Sequence, residues 1–160
     1  MGVAGSGKTT VARALAAHYG HVFLDADDFH GAQAKARMAA GEALTDAQRE
    51  PWVDALASEL RRLASEGHSC VLAFSGLRAA HRQRLRDSGV PLRFVFLHAA
   101  PSVLAARLAS RTGHFMPPLL LDSQLEDLQS PVGEPDVIAV DAGLSQTQVL
   151  QRVIEVLDGP

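Results

Sequence analysis

Apolar positions along the chain switch between a helical and an extended spacing. In "TTVARALAAHYG" (9–20), Val11, Ala12, Leu15 and Ala16 repeat at intervals of three and four, and Gly20 closes the run, so a helix is expected. "HVFLD" (21–25) is a short apolar strand ending in acid, and "AQAKARMAAG" (32–41) returns to helical spacing until Gly41. In "TDAQREPWVDALASELRRLASEG", Thr45 and Gln48 have capping-box spacing, while Pro51 predicts that the long helix begins or kinks there. "SCVLAFS" (69–75) and "LRFVFLHA" (92–99) read as strands with the basic helix "RAAHRQRLRDSG" between them. A helix opened by Pro101 (101–111), a helix over 118–129, a strand "DVIAVD" (136–141) and a terminal helix (145–157) complete the pattern.

Strands separated by helices predict parallel pairing through right-handed crossovers, with helices on both faces. The expected fold class is therefore α/β, a three-layer α/β/α arrangement around a parallel sheet. Ligands of such sheets bind beyond the carboxyl ends of the strands. That rule gathers four segments around one cleft: residues 2–9, Asp25 to His30, Ser75 to His81, and the stretch after His98.

Composition narrows the picture. One domain over residues 1–160 is the economical reading, with no repeat, linker or low-complexity block. A hydrophobic fraction of 47% with 21% charged residues suits a soluble globular chain. A net charge of −3 gives no general attraction to nucleic acid or anionic membrane, so neither is an expected partner. There is no membrane-length apolar run, and no signal peptide opens the chain. A single cysteine, Cys70, reads as a packed core thiol in a reducing cytoplasm.

The sharpest chemical signal is "GVAGSGKTT" (2–10), which fits G-x-x-x-x-G-K-[ST]. Gly2, Gly5 and Gly7 let the backbone turn and approach an anion closely, and Lys8 with the N–H groups of the following helix adds positive potential. Ser6, Thr9 and Thr10 complete the nucleotide-binding stretch, with the Thr9 hydroxyl placed for Mg²⁺. Such a loop normally hangs from a buried strand, yet only Met1 precedes it; four to six apolar residues directly upstream are expected in the parent reading frame.

A phosphoryl acceptor needs an acid. No N-K-x-D motif for guanine recognition is present, and the strand through residue 74 ends in Ser75 rather than acid. "VFLDAD" supplies Asp25 and Asp27, which an extended chain would point to the same side. One could orient Mg²⁺ or its waters while the other accepts a hydroxyl proton; Asp28 reads as a bystander.

Together "MGVAGSGKTT", "FLDADDFH", "RMAAGEALTDAQREPW", "FSGLRAAHRQRLR", "SRTGHFMPPLLLDSQLEDLQSP" and "DVIAVD" resemble the gluconokinases of the thermoresistant glucokinase type. These are relatives of shikimate kinase within the nucleoside-monophosphate-kinase-like P-loop fold. The resemblance implies ATP-dependent phosphorylation of D-gluconate to 6-phosphogluconate with Mg²⁺, usually by a cytoplasmic homodimer. It further implies Asp27 as base and Asp25 as the Mg²⁺-side acid. Arg49, in "D-x-x-R-x-P-W", and Arg78 suit the carboxylate and hydroxyls of a sugar acid, alongside Ser75 and His30. His81 is a substrate candidate or an exposed helix residue. Arg107 and Arg111 lead into a lid at about 111–118, where they would neutralise the transferring phosphoryl group and flank the nucleotide; His114 and Phe115 belong to that lid. Trp52 reads as core rather than an adenine platform, and His18, His21, His68 and His98 as surface or strand-edge residues.

The chain departs from the family pattern at several positions. Family members usually read S-A-L-K-x-x-Y-R-D where "SGLRAAHRQ" places Arg78, His81 and Gln83. They read H-P-x-x-N-x-x-K-M where "HGAQAKARM" places Gly31, Ala34 and Arg37. These changes are expected to gather near the acceptor pocket and spare the phosphate machinery. They keep two other readings open: a kinase of the same fold for shikimate, another aldonate or a nucleotide, and a nucleotide-binding module without turnover.

Overall fold

The computed structural model describes residues 1–110 and 118–159. Helix α1 (Lys8–Tyr19) leads into strand β1 (Val22–Asp25), a 3-10 turn (Ala26–Phe29), α2 (Ala32–Ala39) and α3 (Asp46–Ser65). Strand β2 (Cys70–Ala73), α4 (Ala79–Arg86), β3 (Phe94–His98) and α5 (Pro101–Ala109) follow. Helix α6 (Pro118–Asp127), β4 (Val137–Asp141) and α7 (Gln146–Asp158) end the chain.

Local chemistry sets most of these boundaries. Gly20 stops α1 in a left-handed conformation and returns its N–H to the Ala16 carbonyl. Reciprocal capping boxes open α3 at Thr45 with Gln48 and α7 at Ser145 with Gln148. Helix α3 does not begin at Pro51, one of the two outcomes expected from the sequence; it runs through the proline from Asp46. The capping box outranks the proline because, in the second turn, the missing N–H forfeits a single helical bond.

Strands β1 and β2 pair in parallel from Val22 opposite Cys70 to Asp25 opposite Ala73. Strands β3 and β4 pair likewise from Phe94 opposite Val137 to His98 opposite Asp141. Met1 and Gly2 lie between the two pairs: Gly2 N–H donates to the Ser75 carbonyl (3.0 Å), and Leu97 N–H donates to the Met1 carbonyl (2.9 Å). The Met1 amine donates to the Val95 carbonyl at 2.5 Å. A cavity of about 390 Å³ continues that line between β2 and β3, walled by Val11, Leu15, Leu60, Val71, Phe94 and Val95.

Alternate strand residues feed two apolar layers. On one face Leu24, Leu72 and Phe94 pack with Val53, Leu56 and Leu60 of α3 and Leu85 of α4. On the other, Val71, Leu97 and Val140 pack with Val11 and Leu15 of α1 and Val149 and Val153 of α7. Each fully buried Leu or Val contributes roughly 1.5–3 kcal/mol, so α3, with Val53 and Leu56 each 1% exposed, is a major anchor. A third cluster ties Val3 and Ala4 to Leu77, Leu104, Leu108 and Leu121, fastening the glycine-rich loop to α5 and α6. The layered, parallel α/β arrangement matches the expectation. Among the described residues, no helix is long and apolar enough to cross a membrane.

Candidate active site

The glycine-rich loop folds back on itself. The Val3 carbonyl accepts from the Ser6 hydroxyl (2.8 Å) and from the Lys8 ammonium (3.0 Å), so Lys8 spans the loop it belongs to. A Cβ on Gly2 would lie 2.4 Å from the Leu97 carbonyl oxygen, which admits only glycine. Gly7 precedes α1 with φ 88° and no capping side chain, so its side of the loop is open and the first N–H groups of α1 are offered to an anion.

Asp25 ends β1 directly beside this loop. Its Oδ2 accepts from the Thr9 hydroxyl (3.2 Å) and its Oδ1 from the Asp27 N–H (3.1 Å). The two acids share the cleft, but not because the chain stays extended. Asp25 caps the 3-10 turn that begins at Ala26, and that turn swings Asp27 back to the same side.

A cleft of about 540 Å³ joins the two halves. Gly5, Gly7, Lys8 and Thr9 of the loop line it together with Asp25, Asp27, His30, Arg49, Ser75 and His81. Asp28 also lines it. Gly2 and Ser6 stand behind the cradle, and Thr10 is exposed outside the cleft lining. Ser6 is 2% exposed.

Trp52 organises the side of the cleft that holds His30 and His81. Its indole N–H donates to the Ala26 carbonyl (2.7 Å), which fixes the ring under the acid-bearing turn. His30 stacks on it at 4.3 Å and 14°. His81 meets it edge-on at 6.5 Å. Trp52 is buried, as expected, but also lines the cleft. His81 is buried too, so of its two readings the exposed helix position is set aside.

Burial pushes both imidazoles below their ordinary pKa of 6.5. Asp27 opposes that shift at His30, while Arg49 reinforces it at both rings. The unfolded chain therefore takes up these protons first as pH falls, and the stability of the folded form declines below about pH 6.5. Melting temperature is expected to drop between about pH 7.5 and 5.5, and to drop less in a His30→Gln/His81→Gln double variant. Parallel profiles for the two proteins would refute the assignment.

Two residues that bond to the loop and to the cleft's arginines were not singled out in the sequence. Gln124 of α6 accepts the Ala4 N–H of the phosphate loop at 2.6 Å. Asp127, three residues on, accepts from both terminal nitrogens of Arg49 (3.0 and 3.1 Å) and from Arg78 (2.6 Å). Nothing local in the sequence marks them, since their partners lie 49 to 120 positions away. Arg78 is not part of the cleft lining and reaches the site through this carboxylate.

The departures from the family pattern are less concentrated than expected. Gln83 bonds Asp87 on the exposed side of α4, Arg37 pairs with Glu42, and neither they nor Ala34 line the cleft. Of the six, His81 lines it and Arg78 stands directly behind it. Arg107 donates to the Leu144 carbonyl (3.2 Å), away from the lining. Arg111, His114 and Phe115, with the lid expected at 111–118, lie outside the described residues but for Pro118 at the start of α6.

A family model described as an AAA domain matches residues 1–135. A gluconokinase of Gluconobacter oxydans is 40% identical over 154 residues, spanning 96% of this chain and 86% of that protein. The crystal structure of a gluconokinase from Sinorhizobium meliloti superposes with a TM-score of 0.86 at 40% identity, covering 99% of this chain and 93% of the other. An unliganded sugar kinase from a Janibacter species gives a TM-score of 0.93 at 37% identity, covering 99% and 91%.

Proposed function

Because the chain belongs to the gluconokinase family of P-loop kinases, we propose that its cleft passes the terminal phosphoryl group of ATP to a hydroxyl of gluconate. The observation that carries this reading is the shared cleft, in which Lys8 and the glycine-rich loop face Asp25 and Asp27.

The phosphate chain lies along the loop N–H groups and the start of α1, with Lys8 releasing the Val3 carbonyl to meet the terminal phosphates. Asp27 hydrogen-bonds the terminal hydroxyl of the sugar acid and takes its proton as that oxygen attacks the γ-phosphorus. The new O–P bond forms as the bond to the β–γ bridging oxygen breaks, and ADP leaves with that electron pair. His30 Nδ1 is buried and has no hydrogen-bond partner among the described residues, which suits it to a substrate hydroxyl. Arg49 takes the carboxylate end, and Ser75 and His81 complete the hydroxyl contacts.

Thr9 and Asp25 suit a hard, oxygen-seeking cation. Their oxygens already meet at the mouth of the loop, and no cluster of three acidic, histidine or cysteine side chains competes among the described residues. Mg²⁺ characteristically takes one or two protein oxygens and completes its shell with phosphate and water. Bound there, it would supply charge neutralisation to the phosphates. Arg107 and Arg111, with His114, are the groups that would close over the nucleotide from the lid side.

ADP release should be measured on the protein with gluconate, other aldonates, shikimate and nucleoside monophosphates as acceptors. Gluconate-dependent ADP formation with 6-phosphogluconate as product is the expected result. Turnover with a nucleotide acceptor alone, or ATP binding with no acceptor-dependent turnover, would overturn the reading.

A further inference from the structure

We propose that Asp127 is a positioning and specificity-determining residue: a single carboxylate at the end of α6 that orients two arginines for the acid end of the acceptor. This rests on the gluconokinase reading above. Three separate elements converge on that carboxylate. Arg49 comes from the start of α3, Arg78 from the N-cap of α4 and Asp127 from α6. Oδ2 receives both terminal nitrogens of Arg49, and Oδ1 receives Arg78. The three side chains are 16%, 32% and 20% exposed, so solvent screens them only in part. Asp46 lies 3.8 Å from Arg49 and 3.7 Å from Arg78 but is 62% exposed, which leaves Asp127 as the principal counter-ion.

Arg49 lines the cleft and Asp127 does not, so Asp127 would act through Arg49. An unrestrained arginine samples many rotamers, and holding it in one costs entropy. Two bonds to one oxygen fix the plane of the Arg49 fork and leave its remaining N–H groups to face the acceptor. Without Asp127, the Arg49 and Arg78 guanidinium groups would repel and turn apart. Gln124, one helical turn earlier on the same face, fastens α6 to the Ala4 N–H of the phosphate loop. The acceptor arginines are thus set from a helix that is itself referenced to the phosphate donor.

The test compares full-length wild type, Asp127→Asn and Asp127→Glu. Hydrogen bonds to charged groups contribute about 1.5–3 kcal/mol, so the Asn variant should raise the gluconate KM about 10- to 100-fold. Its kcat and ATP KM should stay within about twofold, and Glu should recover part of the loss. Binding of D-glucitol, which has the hydroxyl chain but no carboxylate, should not change. Unaltered gluconate KM, a lowered KM (Asp127 competing with the acceptor carboxylate), or equal losses toward ATP and gluconate would each overturn the proposal. A second readout needs no substrate: phenylglyoxal labelling followed by peptide mass spectrometry. Arg49 and Arg78 should react several-fold faster in Asp127→Asn, with the exposed Arg61 as the internal reference, and equal rates would refute the clasp. Absence of gluconate turnover in wild type would count against the functional reading alone, since the labelling result stands apart from it.

Discussion

Asp27→Asn should lower turnover by about 10²–10⁴-fold while leaving ATP affinity nearly intact, the scale set by removing a positioned general base. The asparagine side chain keeps the size and the hydrogen-bonding reach of aspartate but cannot accept the acceptor's proton. Asp27 is the residue suited to that proton because its neighbour Asp25 is already engaged, with one oxygen on the Thr9 hydroxyl and the other on the Asp27 N–H. The backbone bond from Asp27 to Asp25 survives the substitution, so the turn and the phosphate loop should keep their shape. Steady-state turnover and nucleotide titration on the same preparation test this. Turnover within threefold of wild type would remove Asp27 from the role.

Lys8→Met should cost about 10²–10³-fold in turnover, the range seen when one preorganised stabiliser of transition-state charge is removed. It should also weaken ATP binding, which separates it from Asp27→Asn. Methionine keeps the apolar stem and loses the ammonium, whose present bond to the Val3 carbonyl spans the loop. Retained turnover in the presence of weakened ATP binding would mean that the backbone N–H groups suffice in the transition state.

Much of the fold was legible because local signals agreed with one another. Gly20 and the capping-box spacing at Thr45 mark helix ends within a residue or two of where they fall, and the terminal helix expected over 145–157 runs from Gln146 to Asp158. The two acids beside the glycine-rich loop were legible as well, although the 3-10 turn that presents Asp27 was not, since a four-residue turn leaves no periodicity to read. Charge was the least transparent signal. The helix 79–86 looks uniformly basic, yet Arg82 is 1% exposed, bound by Glu134 and by the carbonyls of Gly76 and Leu77. Likewise Asp127 reads as one more polar position on α6 until folding brings Arg49 and Arg78 to it. Such roles depend on pairings across the fold, which spacing along the chain does not encode.

The protein has one tryptophan, and that indole lines the cleft stacked against His30, on the side proposed above to take the acceptor. Its emission therefore reports on a single place. A sugar acid settling over the stacked rings alters the polarity and quenching around one fluorophore, so occupancy of that half of the cleft can be followed optically, without labels and without turnover.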